Sequence, residues 1–149
     1  MDRGAPRVHR GPPVSCVFCD LISGEGRTTW VEQEEEAVAF RPLPSSELAP
    51  GHTLVVPREH SAGLLDASPA ALAATMSLAQ RVGRAMRAAL GATGVAVLQA
   101  SGASAGQSVP HLHLHVVPSW DGDEVQWPAH RSTHVVDGEP WALLAEMFE

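Results

Sequence analysis

Apolar and polar positions alternate in short runs along this chain, interrupted by one long stretch of helical spacing. Thr28–Val31 and Ala37–Phe40 read as two strands, with the acidic run Glu32–Glu36 as the solvated hairpin turn between them. Pro42, Pro44 and Pro50 predict a loop, and His52–Val56 (HTLVV) a short buried strand ended by Pro57. Ser68-Pro69 opens a helix, with Ser as the cap and Pro at the first helical position. That helix runs to Leu90, where Gly91 closes it. Leu72, Met76, Ala79, Met86 and Leu90 are its expected core stripe, with Gln80, Arg81, Arg84 and Arg87 facing water. Val95–Ala100 reads as a strand, Ser101–Pro110 as a Gly/Ala/Ser loop, and His111–Val117 as a strand alternating His with Leu or Val. Two short helices complete the pattern. One is Val17–Ser23, stopped by Gly24; the other is Pro140–Phe148, with Trp141, Leu144, Ala145 and Phe148 expected inward. Strands mixed with a single long helix and no βαβ rhythm predict an α+β fold with an antiparallel sheet.

With 149 residues, 44% of them hydrophobic, the chain has material for one core. Residues 1–13 mix Arg, Gly and Pro without periodicity and are expected to be a disordered arm. Residues 14–149 are expected to form a single domain with a C-terminal tail from about residue 119. A net charge of −7 argues against stable nucleic-acid binding. The apolar runs fall well short of the roughly 18–20 residues of a membrane span, and the N-terminus lacks the apolar stretch of a secretory leader. A cytoplasmic protein is expected. All ten basic residues are Arg, so there is no Lys for Schiff-base chemistry. Cys16 and Cys19 form a C-x-x-C, which in a reducing compartment favours a metal half-site or a redox pair over a structural disulfide.

The decisive segment is GQSVPHLHLHVVP, residues 106–118. In a strand, residues i, i+2 and i+4 share a face, so His111, His113 and His115 line one side while Leu112, Leu114 and Val116 enter the core. Three neighbouring imidazoles pack poorly unless they have partners. Two chemistries compete: chelation of a metal by paired His residues, or a nucleophilic central imidazole attacking phosphorus. The preceding loop favours the second. Gly102, Gly106 and the small residues between them let backbone N–H groups approach an anion, and Gln107 and Ser108 add side-chain donors.

His111-Leu112-His113-Leu114-His115-Val116-Val117 resembles the His-φ-His-φ-His-φ-φ signature of the histidine-triad (HIT) superfamily of nucleotide hydrolases and transferases. CVFCDLISGE at 16–25, AVAF at 37–40 and PGHTLVVPREH at 50–60 agree with it in order, and the likeness is to the zinc-bearing HINT-like branch. The resemblance implies a five-stranded antiparallel sheet, extended across a homodimer through the long helix and the strand before the triad. It implies a hydrolase cleaving at the α-phosphorus of a nucleotide conjugate, such as a phosphoramidate, through a covalent nucleotidyl-histidine, and releasing a nucleoside monophosphate. His113 matches the nucleophile. His115 matches the third His, which contacts phosphate and assists the leaving group; a transferase branch has Gln there. Ser108 matches the residue that helps protonate a leaving amine, Gln107 a phosphate-side donor, and His52 a further His near the site. Gly106 belongs to the phosphate loop. Cys16, Cys19, His60 and His111 match the ligands of one structural zinc per chain, a closed tetrahedral set.

The chain departs from the pattern at two places. Where the family places an acidic residue on the ribose hydroxyls stands Pro42, with Glu47 in a lengthened loop as a candidate substitute. Where it places Asn near the phosphate stands Ala100. These departures keep open a nucleotide-binding regulatory protein with little activity and a specialised biosynthetic nucleotide-removing enzyme; metal-dependent hydrolysis at the triad itself is a further reading of the three histidines. Trp127-Pro128 matches the tail segment that approaches a partner subunit's site.

Overall fold

The computed structural model describes residues 15–123 and 132–148. The expected arm at 1–13, and Trp127-Pro128, lie outside the described residues. The elements are helix α1 (Val17–Ser23), strands β1 (Trp30–Gln33), β2 (Ala37–Phe40) and β3 (Thr53–Pro57), helix α2 (Pro69–Leu90), strands β4 (Gly94–Leu98) and β5 (Leu114–Ser119), and helix α3 (Pro140–Glu146). The strands form one antiparallel sheet in the order β1-β2-β3-β5-β4, with neighbouring pairs in antiparallel register throughout. The α+β expectation holds.

Both faces of the sheet are covered. Alternation sends Ala37, Ala39, Val55, Leu114 and Val116 toward α2, where Leu78, Val82 and Met86 meet them. Val38, Phe40, Leu54 and Val56 point the other way, onto Phe18 of α1. Phe18 is buried and meets Phe40 edge-on at 5.4 Å between ring centroids. Burying such a ring is worth about 2–3 kcal/mol, which fixes a two-turn helix too short to persist alone. Among the described residues no helix is long and apolar enough to cross a membrane.

The long helix begins and ends where its caps predict. Ser68 Oγ accepts from the Ala71 N–H at 3.1 Å, and Gly91 closes the helix in a left-handed turn at φ +69°. Its inward face differs from the expected stripe. The buried positions are Ala71, Thr75, Leu78, Ala79, Val82, Gly83 and Met86, whereas Met76 is 54% exposed and Leu90 46%. The buried arc is centred on Leu78, Val82 and Met86, which meet the sheet, so Met76 falls to its flank and Leu90 to its end. α3 also differs: none of its residues is buried, and Trp141 is 76% exposed. β1 lies two residues beyond its expected position, because the turn closes at Glu34, whose N–H donates to the Ala37 carbonyl at 2.9 Å.

The triad segment supplies the most useful correction. β5 starts at Leu114, so His111 and His113 precede the strand rather than lie within it. Continuing the β3 register (Val55 opposite Leu114) would set Leu112 opposite Pro57. Proline has no N–H to give, and its carbonyl already accepts from the His111 imidazole at 2.9 Å. The Leu112 N–H instead donates to the Ser61 carbonyl at 2.9 Å. The alternation nevertheless persists. Leu112, Leu114 and Val116 are buried on the α2 side, and the three His rings stand on the α1 side.

Candidate active site and metal centre

The protonation of each histidine follows from what its other nitrogen touches. The Leu48 N–H donates to His52 Nδ1 at 3.0 Å, so that nitrogen is bare and the ring proton sits on Nε2. His52 Nε2–H then donates to His115 Nδ1 at 3.0 Å, which leaves His115 protonated at Nε2. His113 is held the opposite way. Its Nδ1–H donates to the His111 carbonyl at 2.7 Å, leaving the Nε2 lone pair free. The His113 and His115 rings are 5.1 Å apart between centroids, and Phe18 meets the His113 ring edge-on at 5.3 Å. One imidazole therefore offers a lone pair and its neighbour a proton.

Electrostatics keeps the second ring in that form. Burial, followed by the neighbouring His113 and His52, pushes His115 down from 6.5 to about 4. Burial also lowers His52, partly offset by the Glu47 carboxylate. Both rings are neutral at pH 7, as the hydrogen-bond chain requires. Glu47 is in turn ion-paired with Arg41, which holds its carboxyl below the usual range.

His113 and His115 open into a cavity of about 250 Å³ that Ser108 also lines, beside Phe18, Phe40 and Leu54. The structure thus brings His113, His115 and Ser108 together, with His52 one hydrogen bond behind. Gln107 is placed differently from the expected phosphate-side donor. Its amide N–H groups donate to the Ala62 and Val109 carbonyls at 2.5 and 2.9 Å, and its Oε1 accepts from the Gly102 N–H at 2.8 Å. All its directed contacts go to the loop, so Gln107 pins residues 102–109 rather than pointing into the cavity. Gly106, at φ +99°, closes that loop's turn and likewise stands outside the cavity wall.

Behind the same wall, Cys16, Cys19, His60 and His111 converge, one donor atom from each lying within 4.8 Å of the others. His60 Nδ1 and His111 Nδ1 are 3.1 Å apart, Cys16 Sγ and His111 Nδ1 3.4 Å, and Cys19 Sγ and His60 Nδ1 3.3 Å. Tetrahedral bonds of about 2.0–2.3 Å give donor separations of roughly 3.3–3.8 Å, so the set fits a zinc-sized dication. The donor chemistry fits as well. His111 gives its Nε2–H to Pro57, so a bare Nδ1 faces the cluster, an orientation fixed by an outer partner. Cys16 Sγ also caps α1 by accepting from the Cys19 N–H at 3.4 Å, and both thiols are free of disulfides. Burial and the neighbouring Cys16 push the Cys19 thiol up to about 11.

Sequence reasoning missed the role of Leu48, whose backbone N–H sets the whole imidazole chain. Its only sequence signal is its place four residues before His52. It also missed Pro57, whose carbonyl orients His111.

Residues 23–121 match the family model described as the HIT domain. The chain is 37% identical over 108 residues to an uncharacterised HIT-like protein of Saccharolobus solfataricus, covering 72% of this chain and 76% of that one. It is 32% identical over 120 residues to an adenosine 5′-monophosphoramidase of Schizosaccharomyces pombe, covering 78% and 86%. Among solved structures, a zinc-bound histidine triad family protein from Mycobacterium smegmatis superposes with a TM-score of 0.71 at 34% identity, covering 80% and 84%.

Proposed function

The chain belongs to the histidine-triad (HIT) family, and from that premise we propose that it is a nucleotide hydrolase acting at the α-phosphorus of a nucleotide conjugate. The observation that carries this reading is the complementary protonation of two adjacent rings in one cavity: a bare Nε2 on His113 and an Nε2–H on His115. The likeness to the fission-yeast monophosphoramidase supports an amine as leaving group.

In the first step the His113 Nε2 lone pair forms a bond to phosphorus as the bond from phosphorus to the leaving group breaks. The departing amine takes a proton delivered at the Ser108 hydroxyl, with His115 Nε2–H on the phosphate oxygens and the leaving group. In the second, water attacks phosphorus and gives up one proton, which replaces the one lost at the Ser108 hydroxyl; the P–N bond to His113 breaks, its electron pair returns to Nε2, and a nucleoside monophosphate leaves. Throughout, the His111 carbonyl keeps the other proton on Nδ1 and stabilises the positive charge that develops on the ring. Cys16, Cys19, His60 and His111 would hold one zinc per chain. With four protein donors an ion there would have no open position, so its contribution would be to clamp α1 to the triad segment.

The functional unit in this reading is residues 14–149, working as a cytoplasmic homodimer. Support for the dimer is that β4 is an edge of the sheet among the described residues, with Val97 44% exposed, and that Met76 of α2 is also exposed. Met76 also lines an apolar hollow of about 320 Å³ with Leu64, Leu72 and Gln99, the residue that follows β4. The test is incubation with nucleoside 5′-phosphoramidates, dinucleoside polyphosphates and nucleotidylated metabolites. Rapid quenching should trap a nucleotidyl adduct on His113, and His113→Asn should abolish turnover while the fold survives. Full activity in that variant overturns the mechanism.

A further inference from the structure

The cavity at His113 and His115 has an unusual charge. Although the chain carries a net charge of −7, no Asp or Glu is among the cavity's described lining residues, while Arg27 and Arg41 both are. Pro42 stands buried in its wall, where the resemblance placed an acid. The substitute acceptor is committed elsewhere. Glu47 is ion-paired with Arg41 and faces a separate hollow of about 660 Å³ that it lines with Leu48 and His52. Of the hydroxyls nearby, that of Thr28 gives its proton to the Arg41 carbonyl at 3.2 Å. Arg27 is exposed and has neither an ion pair nor a hydrogen bond from its guanidinium to the described residues.

A pair of free sugar hydroxyls is read by an acceptor that takes both O–H groups, and a carboxylate does so with its two oxygens. Among the described lining residues there is no charged acceptor, and the hydroxyls of Ser46 and Ser108 are neutral. Guanidinium groups donate only, in a planar fork that matches phosphate oxygens. Hydroxyls placed against them gain little, whereas an anion gains two charge-assisted bonds in a pocket with apolar walls. We propose that this cavity takes nucleotide conjugates whose sugar carries an anionic substituent, a second phosphate, in place of a free hydroxyl pair, with Arg27 reading that charge. This rests on the nucleotide chemistry assigned above to His113, and it narrows the substrate to a class.

The experiment has a binding arm and a turnover arm. Calorimetry compares a nucleoside 5′-monophosphate with its 2′-deoxy form and with its 2′- and 3′-phosphorylated forms, on the wild type and on Arg27→Gln. Turnover compares kcat/KM for the matching 5′-phosphoramidates. The ribo and deoxy forms should agree within about threefold, since removing a hydroxyl leaves no charged group of the described wall unpaired. The 2′- or the 3′-phosphorylated form should bind about tenfold tighter or more, and Arg27→Gln should cut that advantage to about threefold or less. A ribo preference of about tenfold or more overturns the inference, as does a second phosphate that brings no advantage or one that Arg27→Gln leaves intact. Preferential binding with no hydrolysis of any conjugate would overturn the proposed hydrolase and leave this inference standing. Hydrolysis without the preference would do the reverse.

Discussion

The buried imidazole chain should make this protein lose stability in mild acid, and His115 sets the size of the loss. Its ring titrates near 6.5 when the chain is unfolded but near 4 in the folded state, chiefly because burial penalises the cation. The unfolded state therefore binds more protons between these values. Stability is complete above pH 6.5, falls as pH drops from 6.5 toward 4, and levels off below. The full displacement corresponds to a ceiling of about 3 kcal/mol. The ring is partly exposed, so screening reduces the expected loss to about 1–2 kcal/mol. Lowered His52 adds to it in the same direction. Acid would also protonate the cysteine–histidine cluster, so the comparison must cancel that term. The assay is urea denaturation of wild type and His115→Gln at pH 7.5, 5.5 and 4.5. Gln keeps polarity without titrating, so the wild type should lose about 1–2 kcal/mol more than the variant over that range. Parallel losses in the two proteins would refute the account, because His115 would then be neutral for no energetic reason.

Three other outcomes follow from the geometry. Nitrogen-15 NMR of the imidazoles at pH 7 should show His52, His111 and His115 protonated at Nε2 and His113 at Nδ1; an Nε2–H form of His113 would remove its lone pair from the cavity and the mechanism with it. Cys16→Ser preserves a good helix cap but removes a thiolate donor, so bound zinc should fall from one per chain and stability by about 3 kcal/mol or more, checked by metal analysis and denaturation; unchanged zinc would refute the ligand set. Gly83→Ala puts a methyl at ordinary contact distance from Val95 in a helical backbone, so it should stabilise by about 0.5–1 kcal/mol, read as a higher Tm.

Those elements with punctuation were legible in the sequence. Ser68, Pro69 and Gly91 bounded α2 to the residue, and Gly24 ended α1, because caps and left-handed glycines act locally. Strand edges were less legible, since they depend on partners far along the chain. Nothing within His111-Leu112-His113 says that Pro57 opposes it and ends the ladder. The inward face of α2 was misjudged because large apolar residues were taken as its markers, whereas the arc that meets the sheet also holds Ala71, Thr75 and Gly83 and leaves Met76 on its flank. At the site, residue types and alternation pointed to the histidines and the cysteine pair, and the folded chain brings them together. Proton positions were out of reach. They depend on the Leu48 N–H and on the Pro57 and His111 carbonyls, main-chain groups that every residue type carries.

That last carbonyl bears on how such a protein can diverge. Residue 111 touches the cysteine–histidine cluster through its side chain and the His113 ring through its peptide oxygen. A substitution there deletes the ring but not the oxygen, which any amino acid supplies. A lineage that makes good the lost stability elsewhere can therefore dispense with the cysteine–histidine cluster, position 111 included, while the oxygen that holds the His113 proton on Nδ1 remains. The two halves of the site share a residue and yet are free to be inherited separately.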